Sequence, residues 1–132
     1  MAQLTNEQLI QKAKEIAKLH KSSEDVRIGD VGCVLISEKG NLYLGVSIHA
    51  CCGVGFCAEH SAIANMVLNQ EYKIKKIVAV SGDGTILPPC GRCREFMYEI
   101  DEENYETEII LDKNRVAKLK ELLPEPWQKK FY

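Results

Sequence analysis

Thr5 and Gln8 form a T-x-x-Q pair spaced to cap a helix, and Leu9, Ile10, Ala13, Ile16, Ala17 and Leu19 follow at helical spacing. That pattern predicts a first helix with one apolar side. Residues 22–30 are polar and predict a loop. Two short apolar runs, 31–36 and 41–48, flank Glu38-Lys39-Gly40 and predict an antiparallel hairpin. Residues 49–56 carry two glycines and no clear period, so they read as a loop. In 58–68, Ala62, Ile63, Met66 and Val67 fall on one side of a predicted helix. The run 74–81, with Ile77, Val78, Ala79 and Val80, has the β-branched content of a buried central strand. Gly82-Asp83-Gly84 and Pro88-Pro89 bound the next loop, and 90–100 predicts a second helix of the same kind. A strand at 107–111 and a closing helix at 116–123 complete the pattern, the first half of that last segment being also compatible with an edge strand. The order α-β-β-α-β-α-β-α implies a mixed sheet with helices packed on its faces.

Composition changes this picture little. With 132 residues, 45% of them hydrophobic and 27% charged, the chain reads as a single globular domain spanning 1–132. A net charge of -2 argues against a nucleic-acid partner, and Lys129 and Lys130 add too little positive charge to alter that. No apolar run approaches the ~20 residues that a membrane span needs. The start, Met1-Ala2-Gln3-Leu4-Thr5-Asn6-Glu7, lacks the basic and apolar regions of a secretion signal, so an intracellular, cytoplasmic and reducing location is expected. Six cysteines in that setting suggest metal binding or catalysis rather than disulfides.

Cys57-Ala58-Glu59 and Pro89-Cys90-Gly91-Arg92-Cys93 concentrate the chemistry. Both lie at predicted helix N-termini, where the dipole and free backbone N–H groups make thiolates easier to form. The i, i+3 spacing sets Cys90 and Cys93 on one side of a helical turn, and Cys57 supplies a third thiolate from another helix. Structural zinc closes its shell with a fourth protein ligand, whereas catalytic zinc leaves that place to water, whose pKa it brings to ~7. Glu59 cannot point the same way as Cys57, so it reads as a proton carrier beside that open place. Arg92, Arg94 and His60 are available to offset the negative charge of three thiolates. On the residues alone two other readings stay open. Cys90 and Cys93 have redox-dithiol spacing, and Cys51, Cys52, His49 or His60 are available as a fourth ligand of a structural zinc.

Cys-Ala-Glu followed by Pro-Cys-Gly-x-Cys-Arg resembles the zinc-dependent cytidine deaminases, especially the small homotetrameric kind with three cysteine ligands. Val31-Gly32-Cys33-Val34-Leu35, Leu44-Gly45-Val46 and Glu121-Leu122-Leu123-Pro124 are similar to the family's first strand, second strand and C-terminal Leu-Leu-Pro. The resemblance implies an α/β, three-layer fold with a mixed sheet of about five strands and helices on both faces. It implies one zinc per chain on Cys57, Cys90 and Cys93, with Glu59 as proton shuttle. It also implies backbone contacts to substrate near Ala58 and Pro89, an aromatic cover at Trp127, and a homotetramer, with a dimer as the alternative. The implied reaction turns the 4-amino group of a small cytosine-type substrate into a keto group and releases ammonia.

The chain departs from the family's pattern where the sugar would be held. The usual Asn-x-Glu is Ser47-Ile48-His49, the usual Phe position falls near Ile28 or Gly29, and Cys-Ala-Glu-Arg ends in His60. Losing a carboxylate that grips hydroxyls removes hydrogen bonds worth ~1.5–3 kcal/mol each. Ser47 and His49 are therefore the substrate-side candidates. Cys-Gly-Arg-Cys-Arg is also the form found in the blasticidin-S deaminases, which gives an alternative substrate, a modified cytosine nucleoside; a zinc protein without catalysis is the other alternative. Elsewhere, Cys33 reads as core, Cys51 and Cys52 as small, partly buried loop side chains, and His20 as the C-terminal end of the first helix. Six carboxylates in 99–108 read as a solvated surface loop.

Overall fold

The computed structural model describes residues 4–128, so Lys129 and Lys130, like Met1 to Gln3, lie outside the described residues. Helix α1 (Asn6–Ile16) begins at the expected box: the Gln8 N–H donates to Thr5 Oγ1 (3.2 Å) and the Thr5 N–H donates to Gln8 Oε1 (2.8 Å). Then come β1 (His20–Ser23), β2 (Val26–Ser37), β3 (Leu42–Ala50), α2 (Ala58–Leu68), β4 (Ile74–Ser81), β5 (Ile86–Leu87), α3 (Gly91–Ile100), β6 (Glu108–Asp112), β7 (Arg115–Lys118) and α4 (Leu119–Leu122). Short 3₁₀ turns at Cys51–Gly53 and Glu102–Glu106 precede α2 and β6.

The seven strands form one mixed sheet in which β2 pairs antiparallel with β3 along one edge and with β1 and then β4 along the other. Strand β4 runs parallel to β6, which turns back into β7. Because both faces of β2 are covered, its apolar run divides by alternation. Cys33 and Leu35 join Ala62, Ile63, Met66 and Met97 under α2 and α3, while Val34 and Ile36 join Leu9 and Ala13 under α1. This is the expected three-layer order, with helices on both faces.

Two glycines set how closely the helices sit. A Cβ on Gly32 would come 2.3 Å from the Ala13 carbonyl oxygen, and one on Gly45 would come 2.2 Å from the Ala62 nitrogen. The Val-Gly and Leu-Gly-Val segments thus let α1 and α2 lie directly on the strands, which brings the start of α2 over the sheet.

Several expectations need correction. The sheet has seven strands rather than about five. Residues 22–30 are not a loop: β1 and the start of β2 occupy them, held by backbone pairing, with all four β1 residues exposed and so without an apolar signature. The first helix stops at Ile16; Leu19 is exposed, and His20 begins β1 instead of ending α1. Of 116–123, only Leu119–Leu122 is helical, and the edge-strand alternative holds for the residues before it. The acidic stretch is partly ordered by Asn104, buried, whose Oδ1 accepts the Ile74 N–H (2.7 Å) and whose Nδ2 donates to the Tyr72 and Met97 carbonyls. Cys33 is core as expected, whereas Cys51 and Cys52 are both exposed. Among the described residues, no helix is long and apolar enough to cross a membrane.

Candidate active site

Cys57 and Cys90 are the N-cap residues of α2 and α3, each with extended backbone, and Cys93 lies in the first turn of α3. The two helix starts lie side by side. Cys57 Sγ lies 3.4 Å from Cys90 Sγ, which lies 3.6 Å from Cys93 Sγ, and all three sulfurs are within 4.8 Å of one another. A zinc ion with tetrahedral Zn–S bonds of ~2.3 Å sets its sulfurs about 3.8 Å apart, so this triangle fits one face of the tetrahedron. Among the described residues, no fourth His, Cys, Asp or Glu joins the group. The closed structural site therefore lacks its last ligand, and a simple dithiol would not need Cys57.

Electrostatics within the triangle are those of acids crowded together. Burial, then the charges of Glu59, Cys57 and Cys90, raise the Cys93 thiol well above the ordinary range. Burial and the contact with Cys90 raise Cys57 as well. Cys90 is the exception: burial pushes it up, but the Cys93 N–H and the neighbouring thiols outweigh this and hold it low. A divalent cation removes the obstacle to ionising all three.

Glu59 follows Cys57 by two residues and is buried, 5% exposed, within the same pocket. Burial raises its carboxyl above the usual range, against the opposing pull of its own backbone N–H. The pocket has a volume of about 390 Å³ and is bounded by the loop before α2, the starts of α2 and α3, the C-terminal end of β3, and Val31, Ala79 and Leu87 of β2, β4 and β5.

The other expected residues divide into those the fold gathers here and those it does not. Ser47, His49, Ala58 and Arg92 line the pocket. Ser47 is buried and its Oγ accepts the Val31 N–H (3.0 Å); His49 Nε2 lies 3.4 Å from Asp30 Oδ2. His60 stacks on Phe96 (centroids 4.1 Å apart) with Nδ1 3.7 Å from Cys93 Sγ; burial and then Arg92 lower its pKa, which disfavours the cation. Arg94 turns away from the sulfurs: Nε donates to the Pro89 carbonyl (2.8 Å) and Nη1 to the Leu122 carbonyl (3.0 Å). Pro89 itself does not line the main pocket. Neither does Trp127, half-exposed, whose backbone N–H donates to Glu95 Oε1 (2.9 Å) on α3.

Sequence reasoning missed the apolar walls, Phe56, Leu87 and Ala79, and the Asp30 partner of His49. An aromatic directly before Cys57 was a usable signal for the first. Nothing local in the sequence points to the others, which reach the pocket only through strand pairing.

Comparison with known proteins places this geometry. The family model of the cytidine and deoxycytidylate deaminase zinc-binding region matches residues 4–106. Cytidine deaminase 6 of Arabidopsis thaliana is 32% identical over 131 residues, covering 89% of this chain and 41% of that protein. The cytidine deaminase of Mycobacterium tuberculosis (strain CDC 1551 / Oshkosh) is 27% identical over 97 residues, covering 72% of this chain and 70% of that one. The chain thus spans less than half the length of the plant relative. The crystal structure of cytidine deaminase from Mycobacterium leprae superposes with a TM-score of 0.75 at 26% identity, covering 92% of this chain and 99% of that one. Because the family match runs through both helix starts and most of the sheet, the chain belongs to the family that carries the cytidine and deoxycytidylate deaminase zinc-binding region.

Proposed function

We infer that the chain, as one catalytic domain, is a zinc-dependent hydrolytic deaminase that converts the 4-amino group of a cytosine nucleoside to a keto group and releases ammonia. The observation that carries this reading is the buried Glu59 carboxyl in one pocket with Cys57 and Cys90, two corners of the thiol triangle that Cys93 closes from behind in the core. These three residues would hold one zinc ion per chain. When bound, zinc supplies a Lewis acid that makes water nucleophilic near neutral pH.

The chain's own groups do the rest. Glu59 accepts a proton from the attacking water, passes it to the ring nitrogen and serves again as ammonia leaves; its raised proton affinity suits a group that must both take and return a proton. Phe56 and Leu87 flank the aromatic ring and exclude water, and the backbone near Ala58 and Pro88, the residue before Pro89, orients the amidine edge. Ser47 already accepts from Val31, which leaves its hydroxyl proton to donate to the sugar, with His49 at the same side of the pocket. Arg92 offsets the thiolate charge, because Arg94 is engaged with carbonyls and His60 is disfavoured as a cation.

We assign Trp127, half-exposed and outside the lining of its own pocket, to contact with a neighbouring chain in a homo-oligomer, a tetramer by resemblance; sedimentation velocity giving a monomer at working concentration would refute it. A net charge of -2 supports free nucleosides rather than nucleic-acid strands as substrates, and a cytoplasmic setting accords with reduced thiols.

The test is ammonia release over a panel of cytidine, deoxycytidine, cytosine and modified cytosines, with Glu59→Gln beside the wild type. The expected result is turnover of at least one cytosine nucleoside and a loss of about 10²–10⁴-fold in the variant with zinc content unchanged. Equal rates in the two proteins, or no turnover of any compound by zinc-loaded wild type, would overturn the reading.

A further inference from the structure

Outside the catalytic pocket, two reactive side chains stand together. Cys51 and Cys52 are adjacent in sequence, both exposed, and their Sγ atoms lie 3.5 Å apart. They occupy the single turn Cys51–Gly53, in which Cys52 takes a left-handed conformation (φ 61, ψ 23) that residues with a side chain rarely adopt.

The turn is anchored at its base and open at its tip. Ile48 and Phe56 exchange two backbone hydrogen bonds (3.0 and 2.9 Å), and the Cys51 N–H donates to the Asp25 carbonyl (3.2 Å). At the tip, a Cβ added to Gly53 would meet nothing within 4 Å. Ala50, Gly53 and Phe56, on either side of the pair, line the pocket. A change at the two sulfurs is therefore free to occur, and the backbone that must accommodate it is pocket wall.

We propose that Cys51 and Cys52 are a vicinal dithiol modification site, which closes to a disulfide by exchange with a low-molecular-weight disulfide and reshapes the adjacent pocket wall. One thiolate attacks a sulfur of the small disulfide, forming a mixed disulfide and expelling one thiolate. The neighbouring protein thiolate attacks the protein-side sulfur and expels the second. The pair loses two electrons and two protons, which leave on two molecules of small thiol. An S–S bond of about 2.0 Å requires the sulfurs to approach by roughly 1.5 Å. Cα atoms about 3.8 Å apart across a trans peptide lie below the usual disulfide range of about 4.4–6.8 Å, so the closed ring is strained and easily reduced. Strained, exposed disulfides are the labile ones, and this one is a reversible mark rather than a staple.

The inference goes beyond the deaminase reading and is tested without it. The full chain, zinc-loaded, is equilibrated in a glutathione redox buffer, quenched with an alkylating reagent and digested for peptide masses with chymotrypsin, whose cleavage after Phe56 separates the pair from Cys57. In wild type, the peptide holding Cys51 and Cys52 is expected to lose two hydrogens and take up no alkyl group, with recovery in dithiothreitol and zinc content unchanged. Cys52→Ser should stop at the glutathione adduct on Cys51. Phenylarsine oxide should protect the wild-type pair from alkylation and leave the Ser variant unprotected. Hydrogen exchange at the amides of residues 53–56 should change on oxidation in wild type alone. A wild-type pair that stays alkylatable, rests as a glutathione adduct or crosslinks two chains would overturn the proposal. Unchanged exchange at 53–56 would overturn its second half.

Discussion

Arg94 shows what a single side chain does for the site without touching it. Its guanidinium ties the carbonyl of Pro89, one residue before the ligand Cys90, to the carbonyl of Leu122 in α4. The Leu-Leu-Pro segment is thereby coupled to the loop that presents Cys90. Hydrogen bonds from a charged donor are worth about 1.5–3 kcal/mol each, so losing both is expected to make Arg94→Ala cost about 3–6 kcal/mol in urea unfolding and to weaken zinc retention. Stability within 0.5 kcal/mol of wild type, the range of an ordinary surface change, would sink this role. Glu59, Cys57, Cys90 and Cys93 were legible from spacing alone because their chemistry demands particular residue types. Arg94 was legible as a cation and His60 only as a neighbour of the site, and neither the carbonyls nor the Phe96 ring that claim them could be read, since those partners lie far off or depend on helix geometry.

At the scale of elements, Glu71 joins the end of α2 to the β2–β3 hairpin. It accepts from Asn41 Nδ2 (2.7 Å) and from the Tyr43 hydroxyl. Burial alone would raise its carboxyl; contacts with Ser37, Tyr43 and Asn41, and the charge of Lys39, outweigh this and hold it below the ordinary 4.5. A carboxyl depressed in the fold contributes stability that is complete above its unfolded value and is lost as pH falls through the folded one. Glu71→Gln is therefore expected to be less stable than wild type at neutral pH, with the gap closing in acid below about 4.5. Urea midpoints across a pH series check this, and a gap independent of pH would refute it. Long apolar runs made β2, β4 and α2 readable in the sequence. Strand β1 left no such trace, because its residues are all exposed and its pairing rests on backbone groups that every sequence carries.

Across the whole molecule, the thiol triangle joins two helix starts that packing on the sheet and the His60–Phe96 stack also hold together. Binding that favours the folded chain raises its stability by about 2.7 kcal/mol at a zinc concentration of a hundred times Kd, and about 4 at a thousand times. Chelation should accordingly lower Tm, and stoichiometric zinc should restore it. An unchanged Tm after verified metal removal would mean that the thiol triangle holds without the ion. Sequence by itself named the three cysteines that come together, the carboxylate beside them, the cap of the first helix and the buried character of the central strand, since each rests on residue type at short spacing. Tertiary structure decided the rest. It brought Cys57 within 3.4 Å of a sulfur 33 positions away, set Val31, Ala79 and Leu87 around the pocket, and turned Arg94 to backbone carbonyls. Those outcomes depend on strand register and helix placement, which arise from packing among distant segments and leave no local pattern to read.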